Sequence, residues 1–350
     1  MESRTPTNRA LWLFKPGRRF TVGAAPYTSP GRGEVVVRAR AVAVNPVDNL
    51  PALGYRIALP WLTFPTVIGG DVAGDIAAVG PGVTRLRVGD RVLGMAAGTE
   101  KNRNRPAEGA FQHYVVLMQN LVSPIPDDMP YERAAVLPLT LSTAASGLFQ
   151  EDQLGLELPH VPAAERDAVV VIWGGSTSVG SNGIQLARNA GYRVVTTASP
   201  RNFEYVRSLG ASAVADYRGR TAVHETLDAI GRDTLAGVLA IGAGSLRPAL
   251  DIASGARGRR RVATVNLGLA ERLRARRASG VRLSLVWGGT LKDNGVGESI
   301  YGDFLPHALI SGGYRSAPEP RVIGTGLEAI PEALSVLKKG VSARKLVVTL

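Results

Sequence analysis

Hydrophobic and polar positions follow one pattern before about residue 130 and another after it. In the first part, short apolar runs rich in valine lie between turns that contain glycine or proline; the runs are Glu34 to Val44, Thr66 to Val79 and Arg91 to Met95. Short strands at this spacing are typical of a compact β-barrel or sandwich. The polar, basic segment from Thr99 to Glu108 is predicted to form an exposed loop.

After residue 130 the pattern predicts helices and strands in alternation. A helix is predicted from Tyr131 to Gln150, with Pro130 among its start signals. The strands then predicted are Ala168 to Trp173, Arg193 to Thr197, Ala213 to Ala215, Gly237 to Ile241, Arg261 to Asn266, Val281 to Val286 and Lys345 to Leu350, and the helices are Ser178 to Ala190, Asn202 to Leu209 and Gly326 to Lys339. Such alternation predicts βαβ units around a parallel sheet, and therefore an α/β fold beside the barrel.

The most informative stretch is VVVIWGGSTSVG, residues 169 to 180, in which a buried strand runs into a glycine-rich turn that opens a helix. Gly174 and Gly175 allow a tight turn, and Gly180 would let the helix pack closely on the sheet. The free N–H groups and positive end of such a helix can hold a pyrophosphate. Thr177 replaces the middle glycine of the usual G-x-G-x-x-G pattern, so an ordinary strand-to-helix turn stays an alternative.

The end of the next strand distinguishes between the two nicotinamide dinucleotides. Enzymes that use NAD place Asp or Glu there to bind the ribose 2′-hydroxyl. This chain has Ser199 and Arg201 instead, and a guanidinium can pair with a 2′-phosphate that a carboxylate would repel. The sequence therefore predicts NADPH as the cofactor, with a plain surface role for Arg201 as the alternative.

Composition limits the other possibilities. The chain has 350 residues, long enough for two domains, and it contains no cysteine and only four histidines, so no metal site is expected. The net charge of +12 is concentrated in Arg257 to Arg261 and Arg272 to Arg277. We interpret these as a solvated basic surface, because no nucleic-acid-binding motif accompanies them. With no signal peptide or membrane span, the sequence predicts a cytoplasmic protein with neither nucleic acid nor membrane as partner.

Taken together, these residues resemble the medium-chain dehydrogenase/reductase superfamily. The motifs that carry the resemblance are Asn45-Pro46-Val47-Asp48, Gly69-Gly70-Asp71-Val72-Ala73-Gly74, Gly89-Asp90-Arg91-Val92 and Gly174 to Gly180. The chain is most similar to quinone oxidoreductases and to zinc-free enoyl reductases that act in trans with polyketide synthases. The resemblance implies a GroES-like barrel in residues 1–130, completed by 305–350, and a Rossmann doubly wound parallel sheet in 131–304. Zinc-dependent members carry Gly-His-Glu at the position of Gly69-Gly70-Asp71, which implies a zinc-free site here.

The resemblance also implies the residues that bind the cofactor. They are Gly174, Gly175, Ser176, Thr177 and Val179 around the pyrophosphate; Ser199, Arg201, Asn202 and Tyr217 around the adenosine ribose and its 2′-phosphate; Asn45, Asp48 and Thr140 at the nicotinamide end; and Val265, Asn266, Ser342 and Ala343 closing over the cofactor.

The substrate side departs from the family pattern. Relatives usually carry Lys or Tyr two positions after the Asn-Pro-x-Asp motif, whereas this chain has Leu50, which can neither donate a proton nor polarise a carbonyl. Tyr55 and Thr140 are the remaining candidates for catalytic residues, although a structural role is the favoured interpretation of Tyr55. Leu50, Trp287 and Thr290 are expected to line the substrate pocket, with a surface loop as the alternative for the segment from Trp287 to Tyr301.

The prediction is a zinc-independent reductase that transfers hydride from NADPH to an activated C=C bond or a quinone, in specialised, polyketide-type biosynthesis. Two alternatives stay open: a catalytically silent NADPH-binding protein, and an enzyme of reductive cyclisation that acts on an iminium or similar intermediate. The substrate is expected to be a small molecule, free or attached to a carrier. The sequence leaves monomer and homodimer equally open.

Overall fold

The computed structural model describes residues 6–266 and 280–350, and the chain divides into two compact units. One unit, here called the barrel unit, takes the chain up to Leu139 and from Glu319 onward; the other, the Rossmann unit, runs from Thr140 to Pro318. The predicted arginine patch from Arg272 to Arg277 lies outside the described residues. No helix within those two ranges is long and apolar enough to cross a membrane.

The strands are numbered in chain order. They are β1 (Asn8–Leu13), β2 (Thr21–Ala25), β3 (Glu34–Ala43), β4 (Thr66–Val67), β5 (Asp71–Val79), β6 (Arg91–Met95), β7 (Tyr114–Met118), β8 (Val122–Pro124), β9 (Ala168–Trp173), β10 (Arg193–Ala198), β11 (Ala213–Asp216), β12 (Thr234–Ala240), β13 (Arg261–Thr264), β14 (Arg282–Leu285), β15 (Glu319–Thr325) and β16 (Arg344–Thr349).

The α-helices are numbered in the same way. They are α1 (Ala52–Ala58), α2 (Tyr131–Ala134), α3 (Pro138–Phe149), α4 (Ser178–Asn189), α5 (Phe203–Ser208), α6 (Ala222–Ile230), α7 (Leu246–Gly255), α8 (Gly295–Glu298), α9 (Leu305–Ile310) and α10 (Ile330–Lys338). A six-residue π-helix, Ser299–Phe304, joins α8 to α9.

The barrel unit is built from two sheets. The larger has the strand order β15-β16-β3-β5-β6-β8, with β7 paired to β3, and the smaller has the order β2-β1-β4. Apart from the parallel pair β15 and β16, the strands of the larger sheet run antiparallel. Apolar side chains from both sheets, among them Leu11, Val37 and Val72, are fully buried in one cluster with residues of α10. The predicted β-barrel domain is therefore present, and the C-terminal strands complete it.

The apolar run from Thr66 to Val79 is interrupted at Gly69-Gly70, so it forms two strands rather than one. Strand β4 ends at Val67 and β5 starts at Asp71. Gly69 lies between them with a φ of +100°, and a Cβ there would come within 2.5 Å of the Phe111 ring. Because only glycine fits this turn, the extended run has to break here.

The segment from Thr99 to Glu108 is a loop, but the prediction that it is exposed was wrong. Glu100 and Glu108 are buried, and Arg103 binds the Glu108 carboxylate at 2.7 Å. The guanidinium of Arg105 reaches Glu34 at 3.0 Å and Glu108 at 2.9 Å. Charge pairing explains why the segment is less exposed than predicted. Arg103 and Arg105, which favoured a solvated loop, neutralise the buried carboxylates of Glu34 and Glu108.

The Rossmann unit contains one parallel sheet with the strand order β11-β10-β9-β12-β13-β14. This corresponds to 3-2-1-4-5-6, the order of a doubly wound nucleotide-binding sheet. Valine and leucine side chains of β9, β12 and β13 are buried against apolar residues of α7. The α/β fold class is confirmed, and the strands of this sheet match the predicted positions closely.

The predicted helix from Tyr131 to Gln150 is two helices, α2 and α3, separated at residues 135 to 137. Pro138 explains the break, because a proline lacks the N–H that a continuing helix needs and disfavours helical geometry at the residue before it. The predicted helix from Gly326 to Lys339 is likewise shorter. Gly326 has a φ of +87°, a turn of 3-10 helix covers Leu327–Ala329, and α10 follows.

The boundaries between the units differ from those predicted at residues 130 and 304. Helix α2 packs on β3 and β5, so the chain stays in the barrel unit until Leu139. Helix α9 and the buried Tyr314 remain in the Rossmann unit, where the Tyr314 hydroxyl donates a hydrogen bond to Asn182 of α4.

Candidate active site

The glycine-rich turn between β9 and α4 has the geometry that the sequence predicts. Gly174 has a φ of +92°, which only glycine adopts readily. A Cβ at Gly180 would lie 2.2 Å from the Gly174 carbonyl oxygen, so the helix can approach the turn this closely only with glycine. The Thr177 hydroxyl accepts a hydrogen bond from the Gly180 N–H at 3.0 Å and donates one to the Gly174 carbonyl at 2.8 Å. The residue that departs from the usual pattern is therefore the N-cap of α4.

The same turn can hold an anion. Within the described part of the chain, the N–H groups of Ser176, Ser178 and Val179 have no hydrogen-bond acceptor. Ser178 and Val179 open the first turn of the twelve-residue α4, and Ser176 directly precedes its N-cap, so all three stand where the helix dipole is positive. Unsatisfied donors and a positive helix end together suit the pyrophosphate of a dinucleotide.

The carboxyl ends of β10 and β11 lie side by side, because Ala198 pairs with Asp216 in the parallel ladder. The predicted residues Ser199, Arg201 and Asn202 follow β10, and Tyr217 follows β11. Ser199 is buried, and its hydroxyl accepts a hydrogen bond from the Asn202 side chain at 3.3 Å. The Arg201 side chain is exposed, and no carboxylate of the described residues pairs with it. This strand edge thus offers a hydroxyl and a guanidinium where an NAD site would have an acid.

Sequence reasoning missed Arg218 at this edge. Its Nε donates a hydrogen bond to the Tyr217 hydroxyl at 3.1 Å, and its guanidinium lies 5.3 Å from the centre of that ring. A second guanidinium therefore stands beside the predicted ribose contacts. The position of Arg218 directly after Tyr217, a predicted ribose contact, could have identified it from the sequence.

A second glycine-rich turn was also missed. Gly242 and Gly244 follow β12, have φ values of +96° and +76°, and have open space where a Cβ would stand. This turn adjoins the first, since a Cβ at Gly174 would lie 2.7 Å from the Ile241 carbonyl. A Gly-x-Gly sequence directly after a predicted central strand could have identified it.

Thr140 is the first residue of the Rossmann unit and is held by neighbours on α4. Its hydroxyl oxygen accepts a hydrogen bond from Asn182 Nδ2 at 3.1 Å, and Asn182 Oδ1 accepts one from the Tyr314 hydroxyl. Burial is the main cause that raises the pKa of Tyr314 well above its ordinary value, and the neighbouring Tyr301 and Tyr205 add to the rise. This phenol therefore stays protonated and can donate a hydrogen bond. The result is a fixed orientation of the Asn182 amide toward Thr140.

The remaining predicted positions of the Rossmann unit make main-chain contacts. The Val265 N–H donates to Ala240 at 3.2 Å, and the Asn266 N–H donates to the Thr264 hydroxyl at 3.2 Å. Trp287 is half-buried, and the Thr290 hydroxyl donates to its carbonyl at 2.7 Å. Thr290 also bonds the Gln150 side chain, so its hydroxyl is engaged inside the unit. The segment from Trp287 to Tyr301 is a series of short helices, with Tyr301 fully buried, rather than a surface loop.

In the barrel unit, the Asn45-Pro46-Val47-Asp48 motif forms a tight, buried turn. Asn45 caps the 3-10 helix Pro46–Asn49, and its N–H donates to the Asp48 carboxylate at 2.7 Å. The Asn45 side chain donates to Asp71 at 2.7 Å, and Lys345 pairs with Asp71 at 2.9 Å. Two acids and one ammonium therefore lie together in the interior, and no local motif indicates that Lys345 belongs to this group.

Burial raises the pKa of Asp48 to about 7. The hydrogen bond from the Asn45 N–H opposes this rise in pKa, the charge of Asp71 adds to it and the ammonium of Lys345 opposes it. Asp48 can therefore carry a proton near neutral pH, which an exposed carboxyl would not.

Tyr55 is buried in the barrel unit and hydrogen-bonded to the main chain. It is 3% exposed, its hydroxyl donates to the Asp48 main-chain carbonyl at 3.0 Å, and its ring packs edge-on against Phe64. Burial, with the charge of Asp48 second, raises its pKa well above the ordinary value. A buried phenol already engaged with the main chain is poorly suited to donate a proton to substrate. Leu50 nearby is half-buried.

Ser342 and Ala343 precede β16 in the barrel unit. Ala343 has a φ of +48°, an unusual conformation for a residue with a side chain, so the backbone turns sharply here. The predicted site residues thus fall into two sets, one in each unit.

Part of the predicted basic surface is not freely solvated. Arg261 donates to the main-chain carbonyls of Glu151 and Leu154 at 3.3 Å, and Arg259 donates to that of Gly155 at 3.2 Å. These carbonyls follow the end of α3, where cations are favourable. The arginines therefore bind the loop after this helix.

One open pocket of about 590 Å³ lies in the Rossmann unit. Its walls are residues 158–161 of a loop and residues of the π-helix and α9. None of the predicted site residues lines it, so it is not the predicted substrate pocket.

Comparison with known proteins supports the resemblance. The model of the alcohol dehydrogenase GroES-like domain matches residues 31–127. Dehydrogenase azaJ of Aspergillus niger is 45% identical, with 99% of each chain covered, and trans-enoyl reductase himH of Aspergillus japonicus is 37% identical, with 97% of each covered. The crystal structure of an alcohol dehydrogenase superfamily protein from Novosphingobium aromaticivorans has a TM-score of 0.75 at 25% identity, covering 98% of this chain and 100% of that one. The chain belongs to the medium-chain dehydrogenase/reductase superfamily of oxidoreductases.

Proposed function

We propose that this oxidoreductase is a zinc-independent reductase that uses NADPH to reduce an activated C=C bond or a quinone. The named activity of the relative from Aspergillus japonicus, a trans-enoyl reductase, supports reduction of a C=C bond, and we place the reaction in specialised biosynthesis of polyketide type.

The observation that carries the cofactor proposal is the edge formed by the ends of β10 and β11. Arg201 and Arg218 bring two guanidinium groups to this edge. Ser199 stands where NAD-dependent enzymes have the Asp or Glu that binds the ribose 2′-hydroxyl. Guanidinium groups bind phosphate in a bidentate manner, and their fixed charge favours a 2′-phosphate over a hydroxyl. NADPH fits this edge better than NADH.

Each set of residues has a distinct task in this proposal. The turn from Gly174 to Val179 holds the pyrophosphate, and the Asn45–Asp48 turn, with Thr140, contacts the nicotinamide end. When bound, the nicotinamide supplies the hydride, while the protein supplies binding, orientation and exclusion of water.

The donor set supports zinc independence. The chain has no cysteine, and Gly70 stands where zinc-dependent relatives carry the ligand histidine. The neighbouring Asp71 carboxylate is occupied by Lys345 and Asn45. We expect the rate to be unchanged after dialysis against a strong chelator, measured with and without added zinc. A loss that zinc restores would contradict this point.

The substrate side favours acceptors that need little acid assistance. Leu50 replaces the polar residue of relatives, and the Tyr55 hydroxyl is engaged by the Asp48 carbonyl. A quinone or an enone is electron-poor enough to accept hydride with only a hydrogen bond to its oxygen, and the later proton can come from water.

A panel of acceptors tests the proposal. NADPH consumption is measured with quinones, enones and enoyl thioesters, and NADH is used in parallel. We expect turnover with NADPH on at least one class, and a preference for NADPH over NADH. Tight NADPH binding with no reduction of any acceptor would favour a silent binding protein instead.

A further inference from the structure

The order of three neighbouring strands places a charged group on each side of Asn45, which lies two residues beyond the end of β3. On one side is β16, where Val347 pairs with Ala43, so continuing the antiparallel register sets Lys345 opposite Asn45. On the other side is β5, where Asp71 pairs with Ala43. The ladder thus brings together residues that are about 300 positions apart in the chain.

Lys345 and Asp71 determine how the Asn45 amide is oriented. The ammonium donates to Asn45 Oδ1, and the Asp71 carboxylate accepts from Asn45 Nδ2 at 2.7 Å. An amide has its donors on one arm and its acceptor on the other, so reversing it would place oxygen against carboxylate and NH₂ against ammonium. The cation and the anion together permit one orientation.

That orientation is passed on to the Asn45–Asp48 turn. The Asn45 N–H donates to Asp48 Oδ2 at 2.7 Å, and the Asp48 N–H donates to the Asn45 carbonyl at 3.0 Å. Among the described residues, the hydrogen bonds between the ion pair and this turn are all made to the Asn45 side chain.

Stability alone is a weak reason to keep this arrangement. The Lys345 and Asp71 side chains are 5% and 0% exposed, and the desolvation of such a pair offsets most of its attraction. Apolar residues of similar volume can stabilise an interior equally well. What they cannot do is orient an amide.

We infer that Lys345 is a positioning residue, whose ammonium acts through Asn45 to hold the Asn45–Asp48 turn in the geometry that the nicotinamide end of NADPH requires. This inference rests on the proposed function, because it takes that turn as the contact of the nicotinamide end. It predicts that a substitution in the C-terminal strand affects hydride transfer without affecting the adenosine half of the cofactor.

Lys345→Met tests the inference with two ligands, NADPH and 2′,5′-ADP, which carries only the adenosine half and the 2′-phosphate. We expect 2′,5′-ADP to bind with wild-type affinity, while the fluorescence of bound NADPH, which reports the surroundings of its nicotinamide, changes. In single turnovers with the best acceptor we expect a hydride-transfer rate lower by on the order of 10- to 100-fold, the effect of a misplaced reactant. Lys339→Met, on the exposed end of α10, is the matched control and should behave as wild type.

Removing a buried ammonium leaves Asp71 without its cation, so the single variant can lose stability for that reason alone. The double variant Lys345→Met with Asp71→Asn removes both charges, and the new amide oxygen can still accept from the Leu139 N–H that now binds Asp71. We expect it to regain thermal stability but not the rate or the nicotinamide fluorescence. Lys345→Arg, which keeps a cation, should restore part of the rate.

Two results would overturn the inference: hydride transfer at the wild-type rate in the folded double variant, or equal weakening of NADPH and 2′,5′-ADP in it. The first result would show that the ion pair has a structural role alone. The second would show that the ion pair affects the whole cofactor site and not the nicotinamide end in particular. Failure of the proposed function is seen separately, because wild-type protein would then show no NADPH binding or no turnover.

Discussion

At the scale of single residues, the proposed recognition of the cofactor depends on charged side chains whose positions follow from strand order. Arg201 was predicted from its place after the second strand, and the structure leaves its side chain exposed at the edge where Tyr217 and Arg218 also lie. Residues of this kind are predictable because they stand at a fixed place relative to a strand end. Lys345 has no such local signal.

Arg201→Glu tests the proposed contact between Arg201 and the 2′-phosphate of NADPH. The variant loses a charge-assisted hydrogen bond and gains repulsion, so the Kd for NADPH should rise by on the order of 10- to 100-fold while that for NADH changes little. Calorimetric titration of both cofactors measures this. Arg247→Glu, on the exposed face of α7, is the control. Equal losses of NADPH and NADH affinity would remove the basis for this assignment.

Asp48 predicts how stability depends on pH. Its pKa rises from 3.8 to about 7 in the folded protein, where it faces Asp71, Lys345 and Tyr55, so the folded state binds a proton that the unfolded state has lost. That contribution to stability is complete below about pH 4 and disappears as the pH rises to about 7.

Asp48→Asn keeps an oxygen for the Asn45 N–H but cannot ionise. Its Tm should therefore exceed that of the wild type above this pH range, and it should fall less as the pH rises through the range. Thermal melts across the range measure both effects, with the exposed Asp127→Asn as control. A wild-type slope in Asp48→Asn would show that Asp48 is ionised throughout.

At the scale of elements, buried strands and glycine turns were predictable, while breaks and pairings were not. The central strands of the Rossmann sheet, β9 and β12, are nearly continuous apolar runs, so their pattern identifies them without knowledge of partners. The helix break before Pro138 was visible as a proline, but the apolar pattern on both sides concealed it. The loop from Thr99 to Glu108 was wrongly predicted to be exposed, because its arginines form ion pairs with Glu34 and Glu108 only in the folded chain.

Gly180→Ala tests the close approach of α4 to its turn. The new Cβ would lie 2.2 Å from the Gly174 carbonyl oxygen, so the turn must shift. We expect a loss of about 1–3 kcal/mol in the free energy of unfolding. Affinity for the cofactor should fall as well, since the shift disturbs the N–H groups of the turn. Denaturant titration and NADPH binding measure the two effects.

Gly295→Ala is the matched control. Gly295 starts α8 with a negative φ and no atom within 4 Å of the position of a Cβ. The same substitution there should leave stability and NADPH affinity unchanged. A Gly180→Ala variant as stable as Gly295→Ala would contradict the geometry of the turn.

At the scale of the whole molecule, the sequence was enough to predict the fold class and the family, because the strand–turn–helix at residues 169–180 and the barrel motifs are local. It was not enough to place the unit boundaries, since α2 and α9 join their units through packing. The buried group of Asn45, Asp48, Asp71 and Lys345 also depends on strands distant in sequence. Substrate and partners stay predictions.

The central claim is direct hydride transfer from NADPH to an acceptor at a site without metal. The measurement that tests it most directly uses two preparations of NADPH, each deuterated at C4 on a different face. Each preparation is used in a single turnover with an enone as acceptor, and the position of deuterium in the product is determined. We predict that one of the two labelled faces delivers its deuterium to the β-carbon and that the new hydrogen at the α-carbon comes from water. NADPH oxidation without deuterium in the product from either face would contradict the account.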